Sequence, residues 1–386
     1  MIVKIEPELL KKVIIESDKN NLNCVVFANN YNNLLRRIRN NKITLVEELP
    51  FINAVCVKMD RNNLMNMAEC NNVKYITSVT KVTSCINVSK KIMGVENVAI
   101  KNSSNFSVAV IDTGIYPHLD FTLGKNRILT FHDVINGRNI PYDDNGHGTF
   151  VAGLIVSSGF LSSGKYSGVD PNVNIVSVKA LDENGETNSL NILKAMQWVY
   201  SNKEKYNIKV VCMSFGSLVL NYNDPLIIGA ESLWDSGIVV CSASGNSGPE
   251  ISTIKSPGAS SKIITVGALR DNRNEDESFD ENKFKVADFS SRGPILNNYK
   301  PDLVVSGVDV VSACNYKINK TFYGKMSGSS VSTPIVAGIC SLLTKKYPNY
   351  TPNQIKKLLI THCKKIKGDR NEEGFGWLNI KKVFIN

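Results

Sequence analysis

The sequence predicts an α/β protein whose larger part has a mostly parallel central sheet with helices on both faces, preceded by a small α+β unit. Beyond residue 105, short apolar strands alternate with helical segments, as where IVSVKAL is followed by SLNILKAMQWVYS. Such alternation is typical of parallel sheets between helical layers. Up to about residue 80 the order is instead strand, helix, hairpin, helix, strand. We therefore expect two domains, at residues 1–82 and 83–386.

The N-terminal element order matches a split βαβ, or ferredoxin-like, unit. Taken alone, this order fits any small α/β module and indicates no function. The predicted elements are a strand at Asn23 to Phe27, a helix at Tyr31 to Asn40, a hairpin at Thr44 to Lys58, a helix at Arg61 to Cys70 and a strand at Val73 to Val79.

The composition argues against two classes of partner. A net charge of +10 would suit nucleic acid or an anionic membrane surface. However, Lys and Arg are spread along the chain, and the densest clusters, at 36–42 and 356–367, are short and lack interleaved aromatic residues. The longest apolar runs fall far short of the roughly 20 residues that span a bilayer. We expect neither a nucleic-acid nor a membrane partner.

The N-terminus and the cysteines predict a cytoplasmic protein. Charged residues and Pro7 interrupt the first apolar positions before the core of a signal peptide could form. The nine cysteines are scattered and contain no CxxC, so neither a zinc site nor a disulfide framework is predicted. Buried free thiols of this kind suit a reducing compartment.

Three segments of the larger domain carry candidate catalytic residues. Asp112 ends a buried strand, where an isolated Asp is usually a turn or capping residue, and functional groups of parallel sheets gather at such strand ends. Among four histidines, only His147 stands at a helix start between glycines, Gly146 and Gly148, which permit close backbone approach.

Ser330 lies in MSGSSVSTPIVAGICSLL, a glycine-containing turn leading into a helix for which Pro334 is predicted as a first-turn residue. A serine at such a position is more often an N-cap than a nucleophile. The presence of Asp112, His147 and Ser330 together is informative. A serine hydroxyl needs an imidazole to take its proton, and the imidazole needs a carboxylate to fix its tautomer.

Five segments, in the order Asp, His, Asn, Ser, resemble the subtilase family of serine peptidases and cover nearly all of residues 105–385. The resemblance implies a subtilisin-like three-layer α/β/α fold and a serine endopeptidase with the triad Asp112, His147 and Ser330. The family usually has Gly-Thr-Ser-Met-Ala-Thr-Pro where this chain reads GSSVSTP, a conservative change that we expect to preserve activity. The segments are VAVIDTGIYPHLDF, DDNGHGTFVAGLI, VVCMSFGS, VVCSASGNSGP and YGKMSGSSVSTPIVAG.

The resemblance also implies the remaining site residues. Asn246 would donate its side-chain amide to the developing oxyanion, although an Asn here could instead form an Asx turn. Substrate would lie as an added strand between Asp182 to Thr187, which includes Gly185, and Ser214 to Gly216. P1 is the residue before the cleaved bond, and its side chain enters a pocket. The resemblance implies that this pocket is lined by Ser214, Phe215, Gly216, Ala243, Ser244 and Gly245.

Lys255 is placed by the same resemblance near the bottom of that pocket. A cation there suggests a preference for Glu or Asp at P1, because an acidic side chain would pair with the ammonium. The alternative is that the side chain turns outward to solvent.

Residues 1 to about 80 resemble the family's propeptide, which implies an intramolecular chaperone and inhibitor that makes the protein a zymogen cleaved within Val79 to Cys85. The surrounding ITSVTKVTSC contains no acidic residue. Either the acidic preference is wrong, another protease cuts, or intramolecular proximity overrides preference.

No cofactor is expected to be required. Calcium is common in the family, but Ser157 to Gly168 contains no carboxylate, so no calcium loop is predicted and calcium is left open. Two other functions compete with the peptidase hypothesis: a catalytically silent or latched regulator, and a binding protein with an inherited fold. The complete triad and Asn246 argue against both.

Overall fold

The computed structural model describes residues 4–5, 9, 22–41, 43–49, 53–78, 106–219, 224–273 and 280–384. The chain divides into two compact units, Met1–Thr83 and Ser84–Asn386. The predicted boundary at residues 82 and 83 and the predicted processing segment at 79–85 lie outside the described residues, and both stay predictions.

The N-terminal unit is a four-stranded antiparallel sheet with two helices. Its strand order is β2-β3-β1-β4, so that β3 separates β1 from β2 and β1 separates β3 from β4. This is the split βαβ arrangement that the element order predicts. The elements are β1 (Leu22–Ala28), α1 (Tyr31–Asn40), β2 (Thr44–Leu49), β3 (Ala54–Met59), α2 (Arg61–Ala68) and β4 (Val73–Ser78).

Capping side chains define the starts of both helices of this unit. The side chain of Asn30 accepts a hydrogen bond from the backbone N–H of Asn33 at the start of α1, and Asp60 accepts one from Asn63 at the start of α2. Leu34 and Ile38, four residues apart on α1, are both buried in the unit's hydrophobic core.

The larger unit is built on a mostly parallel sheet. Over the described residues its strand order is β6-β7-β5-β8-β9-β10-β12-β16-β15, with β11 pairing β10; only β11 and β15 pair antiparallel. The strands are β5 (Ser107–Asp112), β6 (Ile128–Asp133), β7 (Asn174–Lys179), β8 (Ile208–Met213), β9 (Val239–Ala243), β10 (Ile264–Asp271), β11 (Phe284–Val286), β12 (Leu303–Ser306), β15 (Cys363–Lys364) and β16 (Trp377–Leu378); β13 (Val310–Ala313) and β14 (Tyr323–Met326) form a separate hairpin.

Helices cover this sheet on both faces. Every residue of β5, β7 and β9 is buried, as a sheet between two helical layers requires. One layer contains α4 and α8, which contact each other, and the other contains α5 and α6. The helices are α3 (Leu119–Thr122), α4 (His147–Val156), α5 (Ser189–Asn202), α6 (Pro225–Asp235), α7 (Tyr316–Asn319), α8 (Ser329–Lys346), α9 (Pro352–Thr361), α10 (Arg370–Glu373) and α11 (Lys381–Phe384).

The start of α8 corrects one prediction. Pro334 was predicted to lie in the first turn, but α8 begins at Ser329 and Pro334 lies inside it. The extended backbone of Gly328 and the hydrogen bond from the N–H of Ser329 to Asn246 start the helix earlier. Since proline lacks an N–H, the helical bond to the carbonyl of Ser330 is not made.

Candidate active site

Two residues far apart in the sequence meet at the carboxyl end of β5. Asp112 is the last residue of this strand and is buried, and His147 is the first residue of α4. The Nδ1 atom of His147 lies 2.7 Å from Oδ1 of Asp112, which also accepts the backbone N–H of Thr113 at 2.8 Å. The imidazole keeps 27% of its side-chain surface exposed, so it is held on one edge and accessible on the other.

Two glycines make this approach feasible. Gly146 precedes α4 with φ 101°, a left-handed conformation that favours glycine. A Cβ on Gly148 would lie 2.2 Å from the carbonyl oxygen of Gly114 and 3.2 Å from Cβ of Asp112. Any larger residue at Gly148 would therefore push the helix that carries His147 away from Asp112.

The buried carboxylate of Asp143 organises the turn that leads into α4. Its Oδ1 accepts the hydroxyl of Thr113 at 2.9 Å and the N–H of Gly146 at 2.8 Å, while Oδ2 accepts the N–H of Thr149 at 2.8 Å. Thr113 in turn accepts the N–H of Gly148 at 2.8 Å. Asp143 thus connects the end of β5 to the first turn of α4. Sequence reasoning did not single it out, although the acidic pair before NGHG was a signal.

Ser330 and Asn246 meet at Gly328. A Cβ on Gly328 would lie 2.9 Å from Oγ of Ser330 and 3.2 Å from Nδ2 of Asn246. The side-chain oxygen of Asn246 accepts the backbone N–H of Ser329 at 2.8 Å, so the amide nitrogen is the end nearest Gly328. A hydroxyl and an amide donor therefore flank the same glycine at the start of α8.

These groups line one cleft, with a volume of about 460 Å³, at the carboxyl ends of β5, β8 and β9. Ten residues predicted for the site line it: His147, Gly185, Ser214, Phe215, Gly216, Ala243, Gly245, Asn246, Lys255 and Ser330. Asp112 does not line the cleft itself, and it contacts the ring of His147, which does.

Ser244 does not line the cleft, unlike its neighbours on either side. It is fully buried, and its hydroxyl lies 3.3 Å from the carbonyl oxygen of Gly245. Asn184, which also lines the cleft, belongs to the predicted segment Asp182 to Thr187, and three lining residues were not predicted: Thr113, Asn145 and Ser329. Each is a direct or near neighbour in sequence of a residue that was predicted, and this adjacency was the available signal.

The electrostatics of His147 suit a base that operates near neutral pH. Burial of the ring opposes its protonation, but the charge of Asp112, the hydrogen bond to it and the charge of Asp143 outweigh burial, so the pKa of His147 is raised. A neutral imidazole with a raised pKa is a stronger proton acceptor.

Comparison with known proteins agrees with this geometry. Residues 103–377, most of the chain, match the peptidase S8 family, the subtilase family. The chain is a subtilase. A relative of this subtilase, the serine protease AprX of Bacillus subtilis (strain 168), is 39% identical over 337 residues, covering 81% of this chain and 74% of the relative. Subtilisin DY of Bacillus licheniformis is 30% identical over 285 residues, covering 72% of this chain and 90% of that protein.

Solved structures give the same result for the fold. The S41 psychrophilic protease and sphericase superpose with TM-scores of 0.63 and 0.62, each at 26% identity and each covering 75% of this chain and 96% of the other. The subtilisin-like α/β fold is therefore confirmed, and the enzyme is a serine endopeptidase of this family.

The region where a calcium loop would be expected does not fit a cation. The buried carboxylate of Asp120 accepts the hydroxyls of Ser157 at 2.6 Å and Tyr323 at 2.7 Å and the N–H of Leu161 at 3.0 Å. Across the described residues, no three His, Cys, Asp or Glu side chains are grouped so that they could hold a metal ion. Hydroxyl and amide hydrogens thus occupy the oxygens that a cation would need.

Within the described part of the chain, no helix is both long enough and apolar enough to cross a membrane.

Proposed function

We propose that this subtilase cleaves peptide bonds through an acyl-enzyme on Ser330. Oγ of Ser330 attacks the scissile carbonyl carbon while Nε2 of His147 takes the hydroxyl proton. Asp112 holds Nδ1 and stabilises the imidazolium that forms. The same proton then passes to the leaving amine, and a water activated by His147 hydrolyses the ester to regenerate Ser330. The 2.7 Å contact between His147 and Asp112 is the observation that carries this proposal.

Asn246 and the backbone N–H of Ser330 are the proposed oxyanion donors. The carbonyl oxygen becomes negatively charged in the tetrahedral intermediate, and oriented donors stabilise that charge without reorganising. The hydrogen bond from Ser329 to the oxygen of Asn246 supports this role, because it directs the amide nitrogen towards Gly328 and Ser330.

An extended substrate would pass through the cleft as an added strand. The two segments proposed to flank it are Asp182 to Thr187 and Ser214 to Gly216. Asn184 and Gly185 of the first and all three residues of the second line the cleft, which supports this arrangement. Main-chain hydrogen bonds give affinity that is independent of sequence, so the side-chain pocket selects among substrates.

Labelling with a fluorophosphonate probe tests the catalytic assignment. We expect covalent labelling of wild type and none of Ser330→Ala, while Ser329→Ala, which removes the neighbouring hydroxyl on the same helical turn, should still label. Labelling that survives in Ser330→Ala would disprove the assignment of the nucleophile.

We also propose that the N-terminal unit is a propeptide that inhibits the enzyme until it is removed. Its split βαβ topology supports this role. The structure of fervidolysin from Fervidobacterium pennivorans, a keratinolytic enzyme related to subtilisin, matches 96% of this chain at 19% identity and a TM-score of 0.61, a likeness of fold alone.

The mass of the purified chain over time tests the propeptide proposal. Loss of roughly the first 80 residues in wild type, but not in Ser330→Ala, is expected for self-processing. A full-length wild type that gains labelling only after an added protease removes the N-terminal unit would indicate a latched zymogen. A full-length chain that labels and cleaves peptides at full rate would show that the unit is no inhibitor.

The cysteines support a proposed cytoplasmic location. All eight cysteines among the described residues are thiols, and most are buried. Burial raises the pKa of Cys212 and Cys241 well above the ordinary thiol value, which keeps them protonated and unreactive. Fractionation of the native host with an antibody to this chain tests the location.

A further inference from the structure

The side chain of Lys255 is held in the cleft between two glycines. A Cβ on Gly216 would lie 2.5 Å from Cβ of Lys255, and a Cβ on Gly245 would lie 2.6 Å from its Cγ. The first carbons of the lysine therefore fill a slot that exists only because both flanking residues lack side chains. Gly216 and Gly245 both line the cleft, and so does Lys255 itself.

The backbone around Lys255 fixes this placement. Its N–H donates to the carbonyl oxygen of Ser244 at 2.9 Å. The next residue, Ser256, exchanges two backbone hydrogen bonds with Ser217, at 2.9 and 3.0 Å. The backbone bonds on both sides and the two glycines therefore fix the first carbons of the side chain in the slot. The peptide experiment below distinguishes an ammonium that faces the cleft from one that turns outward to solvent.

The charge of Lys255 has no counter-ion in the described structure. Within the described residues its ammonium makes no ion pair and no hydrogen bond, and the cleft lining contains no Asp or Glu. Asp182, which is close in sequence to the lining residues Asn184 and Gly185, uses its Oδ1 to accept the N–H groups of Asn184 and Glu186 at 2.9 Å each. A cation in a protein cleft without a partner favours an anionic ligand.

We propose that Lys255 makes this subtilase selective for substrates with an acidic residue, Glu or Asp, at P1. The inference rests on the proposed function, because it assumes that the cleft holds the residue before the cleaved bond. A carboxylate there would gain a charge-assisted hydrogen bond from the ammonium, and Lys or Arg at P1 would be repelled. Large aromatic residues would meet the lysine stem in the slot.

Matched peptides provide the test, because Glu and Gln differ in charge but hardly in shape. We would measure kcat/KM for peptides that carry Glu, Gln, Phe or Lys at P1, using wild type, Lys255→Met and Lys255→Glu. Methionine keeps the unbranched stem and removes the charge. Lys262→Met is the control for net charge, since Lys262 is a surface lysine outside the cleft that pairs with Asp235.

We expect wild type to prefer Glu over Gln by about tenfold or more, the value of one charge-assisted hydrogen bond. Lys255→Met should reduce the ratio of kcat/KM for Glu over Gln to about one, while Lys262→Met should keep the wild-type ratio. Lys255→Glu should reverse the charge preference, so that Lys at P1 is favoured over Glu. High salt should weaken the Glu preference.

A wild-type Glu/Gln ratio near one, or a Glu/Gln ratio that persists in Lys255→Met, would overturn the proposal. In that case, fluorophosphonate labelling together with cleavage after other residues would leave the proposed function intact. Absence of labelling together with absence of cleavage of every peptide, before and after removal of the N-terminal unit, would overturn the proposed function and this inference with it.

Discussion

The backbone N–H of Ser329 donates a hydrogen bond to the side-chain oxygen of Asn246, with 2.8 Å between nitrogen and oxygen. This contact joins the first residue of α8 to the loop after β9. It fixes which end of the carboxamide faces Gly328 and Ser330, and therefore orients an N–H donor before substrate arrives. A donor oriented in advance stabilises a transition-state charge without a cost of reorganisation.

Asn246→Ala should lower kcat strongly and change KM little, because the oxyanion develops only in the transition state. The loss of one such donor in subtilisin costs about 10²–10³ in kcat, or about 2.7–4 kcal/mol, and we expect a similar loss here. Steady-state kinetics on one peptide measures it. Ser329→Ala keeps the backbone N–H that orients Asn246 and removes only the hydroxyl that lies 3.0 Å from the Asn246 oxygen, so it serves as the comparison and should lose less. Equal losses in both variants would contradict this role for the amide.

Gly328→Ala should reduce kcat by about tenfold without unfolding the protein. The added Cβ would lie 2.9 Å from Oγ of Ser330, closer than real Cβ contacts, and 3.2 Å from Nδ2 of Asn246. Both side chains would have to shift by tenths of an ångström. Misplacement on the order of 1 Å costs about 10²-fold, so a loss of about tenfold is expected for this smaller shift. Labelling rate and thermal melting measured together would show whether the site alone is affected. Full activity in this variant would mean that the two groups do not share this space.

Asp112→Asn should lower both the rate and the pKa of His147. In wild type the carboxylate's charge and hydrogen bond hold the pKa above its ordinary value against the effect of burial. Activity requires the neutral ring, so kcat/KM should rise with pH through a midpoint above about 6.5. Removing the charge leaves burial dominant and moves the midpoint down.

The His147 titration can be followed by NMR in the inactive Ser330→Ala background, with and without Asp112→Asn. The rate in the Asp112→Asn enzyme should fall by about 10⁴, the effect known for this exchange in serine proteases. A midpoint that does not move would show that Asp112 does not control the ring.

Asp302→Asn should destabilise the peptidase unit by about 3–5 kcal/mol, because it leaves a buried cation unpaired. Oδ2 of Asp302 lies 2.6 Å from Nζ of the buried Lys300, and Oδ1 lies 2.9 Å from Nζ of Lys356. Urea unfolding in the Ser330→Ala background, which prevents autolysis, measures the change. Asp235→Asn, which breaks an exposed pair with Lys262, is the matched control and should cost under about 1 kcal/mol.

Lys300 should make stability rise with pH above about 8. Burial lowers its pKa to about 8 despite the opposing charge of Asp302, whereas the unfolded chain's lysine has a pKa of about 10.4. Between these values the unfolded state binds more protons, so this residue's contribution to the unfolding free energy increases with pH. The difference between wild type and Lys300→Met isolates it from other groups. A difference that stays constant from pH 8 to pH 10 would contradict the lowered pKa.

Much of the fold followed from local pattern. Buried strand runs and alternating helices predicted the parallel sheet, and the N-terminal helix at Tyr31–Asn40 has the predicted bounds because Asn30 caps it and Leu34 and Ile38 face the core. The prediction that Pro334 lies in the first turn was wrong, because a long-range contact from Ser329 to Asn246 starts α8 at Ser329, five residues before Pro334. That contact joins residues 83 positions apart, and the sequence alone did not predict it.

The sequence by itself determined which chemical groups are available, since residue type, glycine placement and strand ends are local properties. Tertiary structure decided which groups meet: Asp112 contacts His147 across 35 positions, and Asn246 meets Ser330 across a glycine. It also decided that Lys255 lies between Gly216 and Gly245 and that Ser244 is buried. The physical reason is that neighbouring strands of a parallel sheet bring distant segments together at one edge, and packing there selects which side chains face the cleft.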